Sequence, residues 1–265
     1  MPSDSMLRRL LARMGVKARG GAASADPGRS ATARPDELRI LVGELIPPIT
    51  FQDADGRPVG FEIDLATALA GELGRPHRFL LRPTASVSHL IQALIAGEGE
   101  AIINSVAVTR ERQRLVAFSE PYLQDELRLV APRDFAAPAT RDGLRNIRIG
   151  VSEASVAEAQ ARELFGDSAV IIAMPGGFDR VLEALARRQI DLGLGSLLLG
   201  YQFVSSPRGR GFRLLDAPGI KPVSIAIALR KDDTALCQQF SAALQRLKAE
   251  GRLEAMRAKW LPFKS

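Results

Sequence analysis

The feature that most constrains this chain is a stretch that occurs twice. LIQALIAGEGEAIINS, from Leu90 to Ser105, aligns without gaps with VLEALARRQIDLGLGS, from Val181 to Ser196, an offset of 91 residues. Ala93 and Ala184, Leu94 and Leu185, and Ser105 and Ser196 are identical, and Glu100 and Asp191 keep an acid at one place. Each copy reads as a helix followed by a short buried strand that runs to a serine. Any two helix–strand units share some of this texture; the sharper reading is two related α/β lobes. Ligands of open α/β sheets bind beyond the carboxyl ends of strands, which makes Ser105 and Ser196 candidate site residues.

The flanking sequence repeats the alternation. Leu38–Val42 reads as a strand, Leu65, Leu69 and Leu73 recur at helical spacing, and Phe79–Leu81 reads as a strand. Ser88 is read as the N-cap of a helix over Leu90–Ala96. Later, Ile147–Val151, Val170–Ala173 and Ile190–Leu194 are strand candidates between helices over Ser155–Leu164 and Phe178–Arg187. From Asp233 to Phe263 the chain reads as helical, with Leu236, Phe240, Leu244 and Leu247 forming one packing stripe. Strands alternating with helices predict an α/β fold with largely parallel sheets.

Composition narrows the chemistry. The 265 residues include one cysteine, Cys237, and two histidines, His77 and His89, too few for an internal disulfide, a thiolate zinc site or a histidine-based metal centre. No cofactor is expected. The net charge of +6 suggests a polyanion partner at first. Residues 1–36 carry seven basic and three acidic residues, so +4 lies there and only +2 over the rest. No nucleic-acid partner is expected from so nearly neutral a body. No run approaches the roughly 18 apolar residues of a membrane span. Residues 1–36 lack a sustained apolar core and read as a disordered or processed leader rather than a secretory signal.

From about Leu38 to Leu261 the chain resembles the family 3 extracellular solute-binding proteins, the amino-acid receptors of ABC importers. Seven landmarks fall in order. They are Pro47-Pro48 with Phe51, Gly60-Phe-Glu-Ile-Asp-Leu-Ala66, Leu90-Ile-Gln-Ala-Leu94, Thr109-Arg-Glu-Arg112, Phe118-Ser-Glu-Pro-Tyr122, Ile225-Ala-Ile-Ala-Leu-Arg-Lys-Asp232, and the closing segment Lys248–Leu261. The resemblance implies a two-lobed type 2 periplasmic-binding fold with two hinge crossings, placed here near Val130 and Lys221. Lobe 1 then spans 37–130 and 222–265, and lobe 2 spans 131–221. It also implies a periplasmic location, a permease partner, a monomeric chain, no enzymatic activity, and ligand capture by lobes that close.

The site residues follow from the same resemblance. Arg112 matches the arginine that clamps a ligand carboxylate, a task suited to a planar guanidinium fork. Ser105 and Ala107 stand where relatives offer backbone and hydroxyl donors. Ser155 keeps one hydroxyl at a helix start that favours anions. Ser196 stands where relatives place an ammonium-pairing aspartate, and Gly43 where many keep another. Ile46 and Val87 replace the aromatic shelf, and Glu44 or Glu153 is the replacement acid considered. The expected ligand is an amino acid or related small carboxylate. Alternatives on the same fold are a periplasmic dehydratase, which needs a placed acid or base among Glu44, Glu153 and His89, and a degenerate member without ligand.

Overall fold

The structure, a computed structural model, describes residues 36–43, 45–83 and 85–261. The leader expected over 1–36 therefore lies outside the described residues apart from Asp36, as does Glu44. Two compact units are present. One ends at Tyr122 and resumes at Ala226; the other is the continuous stretch Leu123–Ile225. Val130 and Lys221, expected near the crossings, both lie inside the continuous unit.

In the first unit the chain runs β1 (Leu38–Val42), a β2–β3 hairpin (Phe51–Gln52 and Pro58–Val59), α1 (Phe61–Glu72), β4 (His77–Leu81), α2 (Val87–Ile95), β5 (Ala101–Ile102), α3 (Arg110–Leu115) and β6 (Val116–Phe118). The second unit holds β7 (Leu123–Asp125), β8 (Leu127–Pro132), β9 (Arg148–Ser152), α4 (Val156–Phe165), β10 (Val170–Met174), α5 (Gly177–Ala186), β11 (Leu192–Ser196), α6 (Leu197–Ser205), β12 (Phe212–Leu215) and β13 (Val223–Ile225). The chain then returns to the first unit as β14 (Ala228–Arg230), α7 (Thr234–Ala249) and α8 (Arg252–Trp260).

Each unit is built on a five-stranded sheet. The orders are β4-β1-β5-β14-β6 and β10-β9-β11-β8-β12, and in both the fourth strand runs antiparallel to the other four. The segment α2–β5 occupies in its unit the place that α5–β11 occupies in the other, so the sequence repeat is a repeat of structure. Leu90, Ala93 and Leu94 are buried, and so are Val181, Ala184 and Leu185. They pack into separate cores, one with Leu41, Ile102 and Val116, the other with Val130, Phe178 and Ile190. A fully buried leucine of this kind contributes about 1.5–3 kcal/mol.

The shared acid has the same task twice. Glu100 accepts from the backbone N–H of Arg39 at 2.7 Å and from its Nη2 at 2.6 Å. Asp191 accepts from the N–H of Arg148 at 2.8 Å and from its Nη2 at 2.8 Å. In both units the acid thus ties the turn before the third strand to the start of the first. The expected helix over Leu90–Ala96 begins earlier, at Val87, because Ser86 and not Ser88 is the cap: its Oγ accepts from the His89 N–H. The strands that run against the others are β14, which lies in the quoted segment Ile225–Asp232, and β8, which contains Val130.

Candidate functional site

In the first unit Ser105 and the loop that opens with Ile46 meet the start of α1. Gly60 precedes that helix at φ 131°, and a Cβ there would lie 2.3 Å from the carbonyl oxygen of Ile49. Only glycine lets the loop approach so closely. The loop then serves as the cap, for the N–H groups of Phe61 and Glu62 donate to the carbonyls of Pro48 and Ile49 at 3.0 and 2.9 Å. Ile46, half-buried, opens this loop and forms a bridge with Thr50.

Glu62 is 1 % exposed and organises what surrounds it. Its Oε1 accepts from the N–H and Oγ of Ser105 at 2.6 and 2.9 Å and from the Tyr122 hydroxyl at 2.5 Å; its Oε2 accepts from Thr50 Oγ1 at 3.1 Å. Burial pushes the Glu62 carboxyl above its ordinary range, against the pull of these donors. Burial likewise holds the Tyr122 hydroxyl well above its ordinary value, with the Glu62 charge adding to it. Ser105 sits at φ 48°, and both of its donors point to Glu62. Its observed partner is thus an internal carboxyl, where the sequence suggested a ligand.

Next to Ser105, buried Asn104 accepts the Gly43 N–H on Oδ1 at 2.9 Å. A Cβ on Gly43 would lie 2.7 Å from both the Ala85 carbonyl and Leu90 Cδ1, so the packing leaves no room for an aspartate. Val87 packs against the core that contains Leu90. Arg112 lies in the first turn of α3, which Thr109 caps by accepting the Arg112 N–H at 3.2 Å. Its half-buried guanidinium turns back and donates from Nη1 to the Ala107 carbonyl at 2.9 Å. No described acid pairs with it, and burial lowers its pKa from the ordinary arginine value, offset in part by Glu111.

In the second unit β9 and β11 run parallel, so Ser152 and Ser196 end on one edge of the sheet. Ser155 caps α4: its Oγ accepts from the Glu158 N–H at 3.1 Å and donates to the Ser152 carbonyl at 2.7 Å. Glu158 reaches back to the Ala154 N–H at 2.8 Å, leaving the N–H groups of Val156 and Ala157 with no hydrogen bond among the described residues. Ser196 Oγ donates to Asp125 Oδ1 at 3.0 Å. Glu153 and His89 are exposed, and His89 Nδ1 lies 3.0 Å from Ser86 Oγ.

Glu62, Tyr122 and Asp125 were not among the sequence-predicted site residues. The first two lie inside quoted motifs, and their role needs Ser105, 43 residues from Glu62, to be seen. Asp125 had no signal of its own.

Two α/β units with one strand order, each carrying polar groups at the ends of its parallel strands, define a class of duplicated α/β binding proteins. The family model for bacterial extracellular solute-binding proteins, family 3, matches residues 38–263, and the chain belongs to that family. The lysine/arginine/ornithine-binding periplasmic protein of Escherichia coli (strain K12) is 28% identical over 240 residues, covering 88% of this chain and 91% of that one. An ancestral arginine-binding protein solved with arginine shares 25% identity at a TM-score of 0.73, covering 85% of this chain and 98% of its own. The fold is shared too by an ancestral amino acid-binding protein described as a precursor of cyclohexadienyl dehydratase, at 23% identity and a TM-score of 0.71, over 85% of this chain and 95% of that one. The chain is a solute-binding component of the ABC-importer type.

Proposed function

We propose that the solute is an amino acid or a closely related small carboxylate, and that Arg112 clamps its carboxylate. The observation that carries this reading is the state of the Arg112 guanidinium: half-buried and, among the described residues, tied only to the Ala107 carbonyl with no acid paired to it. A desolvated guanidinium gains most from a planar anion that takes two parallel N–H bonds. Ser105 then acts by position: held by Glu62, it fixes the turn that leads through Ala107 to Arg112. Within the first unit Ile46 and Val87 supply apolar surface; in the second unit Ser155 and Ser196 are the candidate polar groups. Glu44 has no part in this assignment. Likeness to periplasmic amino-acid-binding proteins supports a periplasmic chain that delivers to a permease and leaves its ligand chemically unchanged.

A thermal-shift screen of amino acids and small carboxylates tests the reading. One ligand should raise the melting temperature and be recovered unaltered after incubation; a consumed ligand would point to the dehydratase-type alternative. Arg112→Ala should weaken binding of that ligand at least about 30-fold without lowering the melting temperature of the free protein, and Arg112→Lys should fall between. Undiminished affinity in Arg112→Ala removes the clamp.

A further inference from the structure

The second unit is balanced in total charge, with thirteen basic and twelve acidic residues between Leu123 and Ile225, yet its charges are sorted. Arg128, Arg148 and Arg162 each pair with an acid. Arg133, Arg208, Arg210 and Arg213 are all exposed, and none of them forms an ion pair with a described residue. Two are held by carbonyls instead: Arg133 Nε donates to the Arg210 carbonyl at 2.9 Å and Arg213 Nη2 to the Phe135 carbonyl at 2.7 Å. Glu183 feels the charge of Arg208, but its two oxygens already accept from Arg180 at 3.0 Å and Arg187 at 2.7 Å. Asp134, next to Arg133, is the acid of the same stretch.

One end of the second unit's sheet collects these four arginines. β8 and β12 run antiparallel with Pro132 opposite Phe212, and just past that pair the Arg133 N–H donates to the Gly211 carbonyl at 2.9 Å. Arg208 and Arg210 flank Gly209 in a 3-10 turn over Pro207–Gly209, capped by Ser206, whose Oγ accepts the Gly209 N–H at 3.2 Å. A Cβ on Gly209 would lie 1.9 Å from the Phe203 carbonyl oxygen, so the turn is pressed inward there while its two arginines stay outside. Leu127, at the start of β8, lies opposite Ser196, so the end of β8 marks the sheet edge away from Ser152 and Ser196. Apolar groups border the arginines. After Asp134 the chain runs Phe135-Ala-Ala-Pro138, with Phe135 half-buried and Ala136 and Pro138 exposed.

We propose that this arginine-rich end of the second unit is a docking surface for an anionic phospholipid bilayer. A guanidinium fork meets phosphate oxygens two at a time, and each arginine near an anionic leaflet adds to the attraction. The apolar run beside the arginines favours a bilayer over a nucleic acid, because Ala136 and Pro138 bury at a headgroup boundary and offer bases no stacking face. Docking by this edge leaves the edge with Ser152 and Ser196 clear, so the assignment stands apart from the identity of the solute.

The test is co-sedimentation of the full chain with vesicles. It should bind vesicles of about 30% phosphatidylglycerol in phosphatidylcholine at about 0.1 M salt, leave them at about 0.5 M salt, and not bind pure phosphatidylcholine. Arg208→Gln/Arg210→Gln should lower the partition coefficient about 10- to 30-fold, whereas Arg208→Lys/Arg210→Lys should stay within about 3-fold of the parent. Neither side chain makes a hydrogen bond to a described residue, so both double variants should melt as the parent does. Arg8→Gln/Arg9→Gln removes the same charge from the leader and should cost less than about 3-fold. Undiminished binding in Arg208→Gln/Arg210→Gln, an equal loss in the leader variant, or equal binding to pure phosphatidylcholine overturns the assignment. So does a parent that binds a DNA duplex but not the anionic vesicles, which would make the surface a nucleic-acid contact.

Discussion

Ser105 and Ser196, superimposed by the repeat, each point a hydroxyl at an acid drawn from elsewhere in the chain. For Glu62 the surroundings are complete: two hydroxyls, a backbone N–H and a phenol converge on one carboxyl. Removing it leaves four donors without an acceptor, those of Thr50 and Tyr122 fully buried. Glu62→Ala should therefore lower unfolding stability by about 3 kcal/mol or more in urea denaturation. Glu62→Gln, which keeps the volume and one acceptor oxygen, should lose less. A change under about 1 kcal/mol for Glu62→Ala would mean that the network is not cooperative. The serines were legible because they recur at one offset. Their acids were not, because a hydrogen-bond partner 43 or 71 residues away leaves no local pattern. Arg112 was legible only through the motif around it, since nothing in its spacing separates it from Arg110 and Arg114.

At the level of elements, period carried most of the information. Helices α2, α5 and α7 announce themselves by apolar stripes, and β1 was bounded to the residue, as an apolar run between a charged segment and Gly43. The start of α2 was misplaced because two serines compete there and only the backbone geometry of Ser86 lets its Oγ meet the His89 N–H. The acid of the repeat belongs to this scale too, since it joins two elements. Desolvation works against Glu100, yet the bonds from Arg39 prevail and hold its carboxyl below the ordinary range; the hydrogen bond from Arg148 does the same for Asp191. A depressed carboxyl contributes stability that is present above its unfolded pKa and is lost as pH falls through the folded value. Stability should thus decline below about pH 4.5, the ordinary glutamate value, and Glu100→Gln should flatten that decline while costing about 1–3 kcal/mol at neutral pH. Asp191→Asn should cost less than about 1 kcal/mol, since that pair is more open to water. Urea denaturation across a pH series checks both.

At the scale of the whole molecule, the two units are alike in sheet order and unlike in threading. The second is one uninterrupted stretch with its own core around Val130, Val181 and Leu185. The first has β14, which follows Ala226, inserted between β5 and β6. A fragment of residues 123–225 should accordingly fold alone, with a cooperative melting transition, and a fragment of residues 37–122 should not. A cooperative melt from the latter would show that its sheet closes without β14. The sequence-based crossings at Val130 and Lys221 fall inside the second unit, Val130 within β8 and Lys221 just before β13, where an apolar run carries no local mark of the unit's limit.

That threading inverts the order in which the protein is finished. A ribosome makes four of the five strands of the first unit's main sheet before the second unit begins, but the gap between β5 and β6 stays open until the residues after Ala226 emerge. Through all of that time β5 and β6 present bare edges, the kind of surface that recruits stray strands. The half of the protein that is begun first is therefore the half completed last, and an escort that shields nascent β edges has its longest task there.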